Sequence, residues 1–521
     1  MTSRPPGATG RRLVRATAVL FAARVASLLL ALGQVVLLAQ RFGTSAATDA
    51  FLVAETVHFF FLGVVEQNLN MVFVPVFVRY REEGDEESAW FVANTLLSAA
   101  ILFLGLFALA LVLFAPALTT LLAPGFSGEQ RELAIHLMRL MAPLSLVMLA
   151  GAFFSTLAFA CDRFALPAAT SVLAALGGPA ALLFATDFFG IDALAVGLLL
   201  GHLARLAVLF LTCPERHRLR WSLALSHPGV RQLGRMAGPR FLAVSLIQVN
   251  FMVDRYFASY LGPGSIAALA FGTKAVTAPV KLVVGSIGRA FMPTLSRLAA
   301  RRELARIRDL LTGGTRHLAI ILVPAIVFLA VFREDLLVLF FQRGAFRVES
   351  TQLTAQAVLF YSLGLFSYFL NPMLDGTFFS LHNSMAPLKV ALFASLLNVA
   401  LDALLVRPLG LGGIALATSL VVTVNTIGLW WAIQKEVGRL AGRPVLRSLA
   451  ATALAALAMG LAFRWLDPWL LARGLTARLP RLLVDAGAGG LVYFGLQALG
   501  NRTSLGELAR LFRRRQGNGP L

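Results

Sequence analysis

The chain has 521 residues, of which 58% are apolar and only 14% charged, and its mean hydropathy is +0.78. Soluble domains carry about 25% charged residues, and stretches such as 96–113 and 320–331 leave no polar face for water, so the bilayer is the solvent. A net charge of +20 would point to nucleic acid in a soluble protein, but here the basic residues fall in a few short loops, as topology requires, and nucleic acid is not an expected partner.

The first apolar run, 13–40, is too long for the roughly 7–15-residue core of a signal peptide and reads as a retained span. A helical crossing needs about 20 apolar residues. Polar breaks mark off thirteen more candidates: 47–78, 89–114, 131–159, 164–186, 191–212, 232–261, 265–296, 309–331, 350–380, 385–406, 411–434, 447–466 and 480–500. Arginines cluster in the N-terminal tail, after the sixth and eighth spans, and in the C-terminal tail. If fourteen spans alternate, all four clusters share one side, so both termini are expected in the cytoplasm. The loop after the thirteenth span, with Arg473 and Arg478, is the exception. The two cysteines, Cys161 and Cys213, imply no disulfide framework.

The chain is also written twice. Gly43 answers Gly262, Pro75 answers Pro293, Arg79 answers Arg297, Phe126 answers Phe346, Pro167 answers Pro387 and Gly190 answers Gly410, at offsets of 218 to 220. Duplicated hydrophobic blocks mark transporters built from two like halves, with the substrate site between them. Each repeat holds six spans, so the halves share an orientation and their pseudo-twofold axis runs along the membrane normal. The expected fold is an all-α polytopic membrane protein: an N-lobe over 1–213, an amphipathic cytoplasmic connector over 214–230, a C-lobe over 231–437, and two further helices with a basic tail over 438–521.

Ionisable groups inside spans are costly and face a cavity or a partner. Lys274, Lys281 and Arg289 in the eighth span are seven and eight residues apart and share a face, a stripe suited to a diphosphate. Arg24 in the first span is a further cavity cation or a partner for Glu55 or Asp49. Arg255 and Asp49 complete the expected substrate-binding set. Asn398 and Asp402 are four apart on one helical face; their hard oxygens suit a small cation, with Thr418 and Asp254 as further ligands, or else form a buried pair holding helices together. His58, His136 and His202 read as packing residues. There is no zinc spacing, phosphate-binding glycine loop or nucleophile elbow.

Several fragments together resemble the MurJ (MviN) family of the multidrug/oligosaccharidyl-lipid/polysaccharide exporter superfamily. They are RFGTSAATDAF at 41–51, FVPVF at 73–77, APGF at 123–126, GPRFLAVSLIQVNFMVDRYFASYLGPGSI at 238–266, FMPTLSRL at 291–298 and QRGAF at 342–346. The resemblance implies a flippase that moves lipid II, the undecaprenyl-diphosphate-linked peptidoglycan precursor, across the bacterial inner membrane by alternating access. It implies two six-helix lobes around a cationic cavity, and a sodium site at Asp254, Asn398, Asp402 and Thr418 with the Ile414 carbonyl nearby. It implies no other cofactor, and a monomer that works beside the cell-wall machinery. The chain departs from the family pattern at Gly33 and Gln34, at Leu62, and at Thr273–Lys274. Such departures fit a relative that moves another lipid-linked glycan. A cation-coupled antiporter of the same superfamily would rely on Glu55 and Glu66. A membrane glycosyltransferase would have only Glu334, Asp335 and Glu349 for catalysis, and a scaffold role needs no site at all.

Overall fold

The computed structural model describes residues 6–501 except 382, 384 and 441, and also Gly506. Over 6–19, 61–68, 70, 71, 235–244, 246, 247, 279, 282–290, 292, 293, 443 and 444 it describes the backbone alone. The described residues form helices and no strand. With no water to satisfy peptide groups in the bilayer core, helices are the structure expected of spans this apolar. They gather into two compact units, 1–267 with 344–346, and 268–343 with 347–521.

The first unit contains α1 (Pro6–Phe42), α2 (Ala46–Asn68), a π-helical turn (Leu69–Phe73), α3 (Val74–Glu82) and α4 (Glu86–Leu122). These are followed by α5 (Gly128–Leu140), α6 (Ala142–Ala160), α7 (Ala165–Phe184), the short α8 (Thr186–Phe189), α9 (Asp192–Leu211) and α10 (Pro228–Ala258). The start of α4 is set by Asp85, whose carboxylate accepts the Ser88 amide hydrogen at 2.9 Å. Helices α7 and α9 approach unusually closely because small residues face each other. A Cβ on Gly177 would stand 2.2 Å from the Gly197 carbonyl oxygen, and one on Gly201 would stand 2.8 Å from that of Ala174. Small residues at the seam are how helices gain van der Waals contact in lipid. Phe73, Phe77, Trp90 and Phe153 form an aromatic core among α3, α4 and α6, with Phe77 edge-on to Trp90 at 5.6 Å. Both cysteines are free and pack against this core.

Contacts sort the ends of these helices into two groups. One group joins the α3–α4 turn, the α6–α7 turn and the connector: Arg81 meets Cys161, Arg163 meets Glu215, Arg218 meets Glu86, and Arg79 donates to Gln232. The other joins the α1–α2 turn to 264–267 and 344–346, and the 123–126 turn to Ser259. The connector is a 3-10 turn (Pro214–Arg218) followed by an extended run. Asn94 and Ser98, one helical turn apart on α4, pair with its backbone: Asn94 bonds the Arg218 carbonyl and the Arg220 amide at 3.0 and 3.1 Å, and Ser98 takes the Ser222 amide at 3.1 Å.

The second unit contains most of α11 (Ser265–Ala300), then α12 (Leu304–Val331), α13 (Arg333–Phe340) and α14 (Val348–Ser380). It ends with α15 (Met385–Leu409), α16 (Leu411–Val437), α17 (Arg443–Ala472) and α18 (Arg478–Gly500). Helices α14 and α16 meet at Gly364, where a Cβ would stand 2.7 Å from the Ser419 Cα. The Ser419 hydroxyl donates to the Phe360 carbonyl at 2.7 Å, and that of Thr426 to Asn371 at 2.6 Å. The last two helices are part of this core. Phe332, Met459, Phe463 and Tyr493 cluster, and the Tyr493 hydroxyl donates to the Ile320 carbonyl at 3.0 Å.

Each of the fourteen expected spans overlaps helix; the second is interrupted by the π-helical turn and the fourth by a turn at Met141 between α5 and α6. Eleven helical segments among the described residues are long and apolar enough to cross a membrane. The three expected spans outside that set, 47–78, 232–261 and 265–296, are those richest in polar residues or described in part by backbone alone. The repeat is visible in the backbone of each unit. Gly190 and Gly410 have φ of +56° and +54°, a conformation that glycine alone adopts without strain. Pro167 and Pro387 are each the third residue of their helix, α7 and α15.

Candidate functional site

The residues singled out by sequence divide between the units. Arg24, Asp49, Asp254 and Arg255 belong to the first; Lys274, Lys281, Asn398, Asp402, Ile414 and Thr418 belong to the second. Arg289 lies on α11, with its side chain outside the described residues.

On α11, Lys274 and Lys281 are both exposed, while Val276, Thr277 and Ala278 between them are buried. The seven-residue spacing therefore keeps both ammonium groups off the packed side of the helix, as the stripe requires. Lys281 lies 5.8 Å from the centre of the Tyr368 ring, a cation–π distance. Arg24 is exposed on α1.

Asp49 and Arg255 are instead committed within the first unit. Asp49 is buried, and its two oxygens accept the amide hydrogens of Gly264 and Ala267 at 2.6 and 2.7 Å. It thereby caps the N-terminus of α11, where carboxylates are favoured. Arg255 donates to the Leu52 carbonyl on α2. Asp49 thus fixes the turn ahead of α11, and Arg255 ties α10 to α2. In the neighbouring helix packing, Gln34 is turned into α7: a Cβ on Gly178 would meet the Gln34 Oε1 at 2.2 Å.

Asn398 and Asp402 are fully buried on α15, and the Asn398 amide donates to Asp402 Oδ2 at 2.6 Å. The helical spacing thus brings the two side chains together. On the adjoining α16, the Thr418 hydroxyl donates to the Ile414 carbonyl at 3.0 Å, so these two oxygens are also neighbours. An amide oxygen, a carboxylate, a hydroxyl and a carbonyl are the hard donors a small cation prefers. Asp254 is buried on α10.

His58 behaves as a packing residue, buried and bonded to Ser145 at 2.7 Å, whereas His136 is exposed and pairs with Asp192 at 2.9 Å. Several span cations escaped the sequence reading, Arg205 among them. Arg205 on α9 donates to Ser155 at 2.8 Å; an arginine facing a serine four turns into an apolar helix was the available signal.

This arrangement of helices is that of solved membrane exporters. A structure described as lipid II flippase MurJ in an inward closed conformation superposes with a TM-score of 0.79 at 21% identity, covering 93% of this chain and 99% of that one. An inward-facing multidrug transporter of the MATE family matches with a TM-score of 0.63 at 16% identity, covering 78% and 94%. In sequence, a protein of Synechocystis called "Probable lipid II flippase MurJ" is 28% identical over 481 residues, 86% of this chain and 88% of its own length. A protein of the same description from Bdellovibrio bacteriovorus is 26% identical over 459 residues, 87% and 88% of the two chains. The family model described as lipid II flippase MurJ matches residues 38–484. The chain belongs to the MurJ family.

Proposed function

We propose that this protein is a lipid II flippase of the bacterial inner membrane, carrying the lipid-linked precursor from the cytoplasmic to the periplasmic leaflet. The observation that carries the reading is the family match over 38–484, on a chain whose helices are apolar enough to cross a membrane eleven times among the described residues. Exposed cations on α11, Lys274 and Lys281, with Arg24 on α1, are suited to the diphosphate, since a charge kept in a span is retained for function.

Fourteen crossings with cytoplasmic termini are part of the proposal. In their support, the ends that meet within each unit are always separated by an even number of spans: two between the α3–α4 and α6–α7 turns, and four between α13 and the α17–α18 turn. The matched glycines and prolines of α7, α15 and their neighbours support two lobes of common ancestry. Asn398, Asp402, Thr418 and the Ile414 carbonyl of the second unit would hold sodium, and these donors fit that ion in kind. Binding of the headgroup and of sodium would each favour one access state, so that the lobes rock around a fixed site.

Complementation tests the substrate. The chain should restore growth and cell shape to bacteria depleted of their lipid II flippase. Failure with correct membrane insertion would turn the proposal toward another lipid-linked glycan.

A further inference from the structure

Within the second unit, a cavity of about 630 Å³ opens where α13 meets the α17–α18 turn. We propose that it is a binding site for a phosphate group, of the kind a phospholipid headgroup presents. Its lining includes three guanidinium groups, Arg343, Arg478 and Arg481, against one carboxylate, Asp335, with Thr476 beside them.

These arginines do different work. Arg481 is 7% exposed, donates to Asp335 Oδ1 at 2.8 Å, and lies 2.8 Å from Asp467 Oδ1. It braces α13, α17 and α18 against one another. Arg478 reaches the same Asp335 oxygen at only 3.4 Å and is half exposed. Arg343 is exposed, lies just past the end of α13 and donates to the Leu339 carbonyl of that helix at 3.1 Å. The brace needs neither of them. Two planar cations at the rim of a polar cavity match the fork geometry of a phosphate. The first turn of α18, a 23-residue helix, adds its positive end there.

Position argues for a lipid source. Trp465 and Trp469, on the last turns of α17, are 80% and 51% exposed, as in an aromatic belt at headgroup level. The loop holding Arg473 and Arg478 is also where the chain breaks its own bias of basic residues toward the cytoplasm. A phosphate ligand on the outer side supplies a reason to keep cations there.

Native mass spectrometry of the full chain in detergent tests the site, with phosphatidylglycerol and inorganic phosphate titrated separately. The expected result is one retained phosphatidylglycerol whose affinity falls tenfold or more in Arg343→Gln/Arg478→Gln and not in Arg347→Gln, a neighbouring exposed cation outside the lining. Thermal stability should stay at the wild-type level, because Arg481 is untouched. Inorganic phosphate bound in place of lipid, and lost in the double variant, would keep the phosphate chemistry and reject the lipid source. Equal binding by wild type and double variant, or no binding of either probe, would overturn the proposal.

Discussion

At the scale of single residues, Asp402 is the sharpest test of the cation reading. It is fully buried and bonded to Asn398 at 2.6 Å, a geometry that serves either a helix-holding pair or two ligands of one ion. Asp402→Ala is predicted to abolish any sodium-dependent rise in thermal stability of the purified protein, with the sodium-free melting temperature changed far less. A sodium response that survives the substitution would remove the site. Residues of this kind were readable because helical spacing is enough: positions four apart must meet, and Thr418 with Ile414 repeats the pattern. The partners of Asp49 and Arg255 were not readable, for the opposite reason. Their partners are backbone groups of Gly264, Ala267 and Leu52, up to 218 residues away, and no side-chain pattern announces a backbone partner.

At the scale of helices, hydropathy located the long elements, because a span has to satisfy its own peptide groups, but not the short α8 and α13. What hydropathy lacked was the interior detail: the π-helical turn within the second span, and the extended connector. The connector is extended because α4 offers Asn94 and Ser98 as partners for its backbone, a tertiary choice that its own composition does not encode. The α7–α9 seam yields a prediction of its own. Gly177→Leu places a side chain against the Gly197 carbonyl, where even a Cβ is 2.2 Å away, and overpacking of this sort costs about 1–3 kcal/mol. A melting temperature lowered by several degrees is expected; an unchanged one would show that the seam is looser than described.

The same end of the first unit carries a pH signature. Burial alone would raise the Glu215 carboxyl, but the two hydrogen bonds from Arg163, at 2.6 and 3.0 Å, outweigh it and hold the group below the usual carboxylate range. A depressed folded-state value means that the tie is at full strength above about pH 4.3, the ordinary glutamate value, and is lost as pH falls through the lower folded value. Amide exchange in 213–222, corrected for intrinsic rate, should therefore be flat from about pH 8 to 5 and rise only below about 4. Glu215→Gln should raise it throughout; a wild-type rise near neutrality would contradict the assignment.

At the scale of the whole molecule, the duplication, the family resemblance and the class of fold were open to reading, since a repeat at 218–220 residues leaves marked glycines and prolines in both halves. The cavity at the α17–α18 turn was not, because Asp335, Asp467 and Arg481 come from three separated helices and nothing in the chain pairs them. Transport without nucleotide is energetically reasonable. Each charge moved across a potential of 100 mV supplies about 2.3 kcal/mol, so a few gating charges can reset a slow cycle. The central claim is that this chain carries lipid II across a bilayer by means of its α11 cations. Proteoliposomes loaded with labelled lipid II, scored by the accessibility of its headgroup to an impermeant reagent, measure this directly. Wild-type protein should equilibrate the two leaflets, and Lys274→Ala should slow that exchange tenfold or more while inserting normally. Exchange no faster than in protein-free vesicles, or undiminished in the variant, would contradict the account.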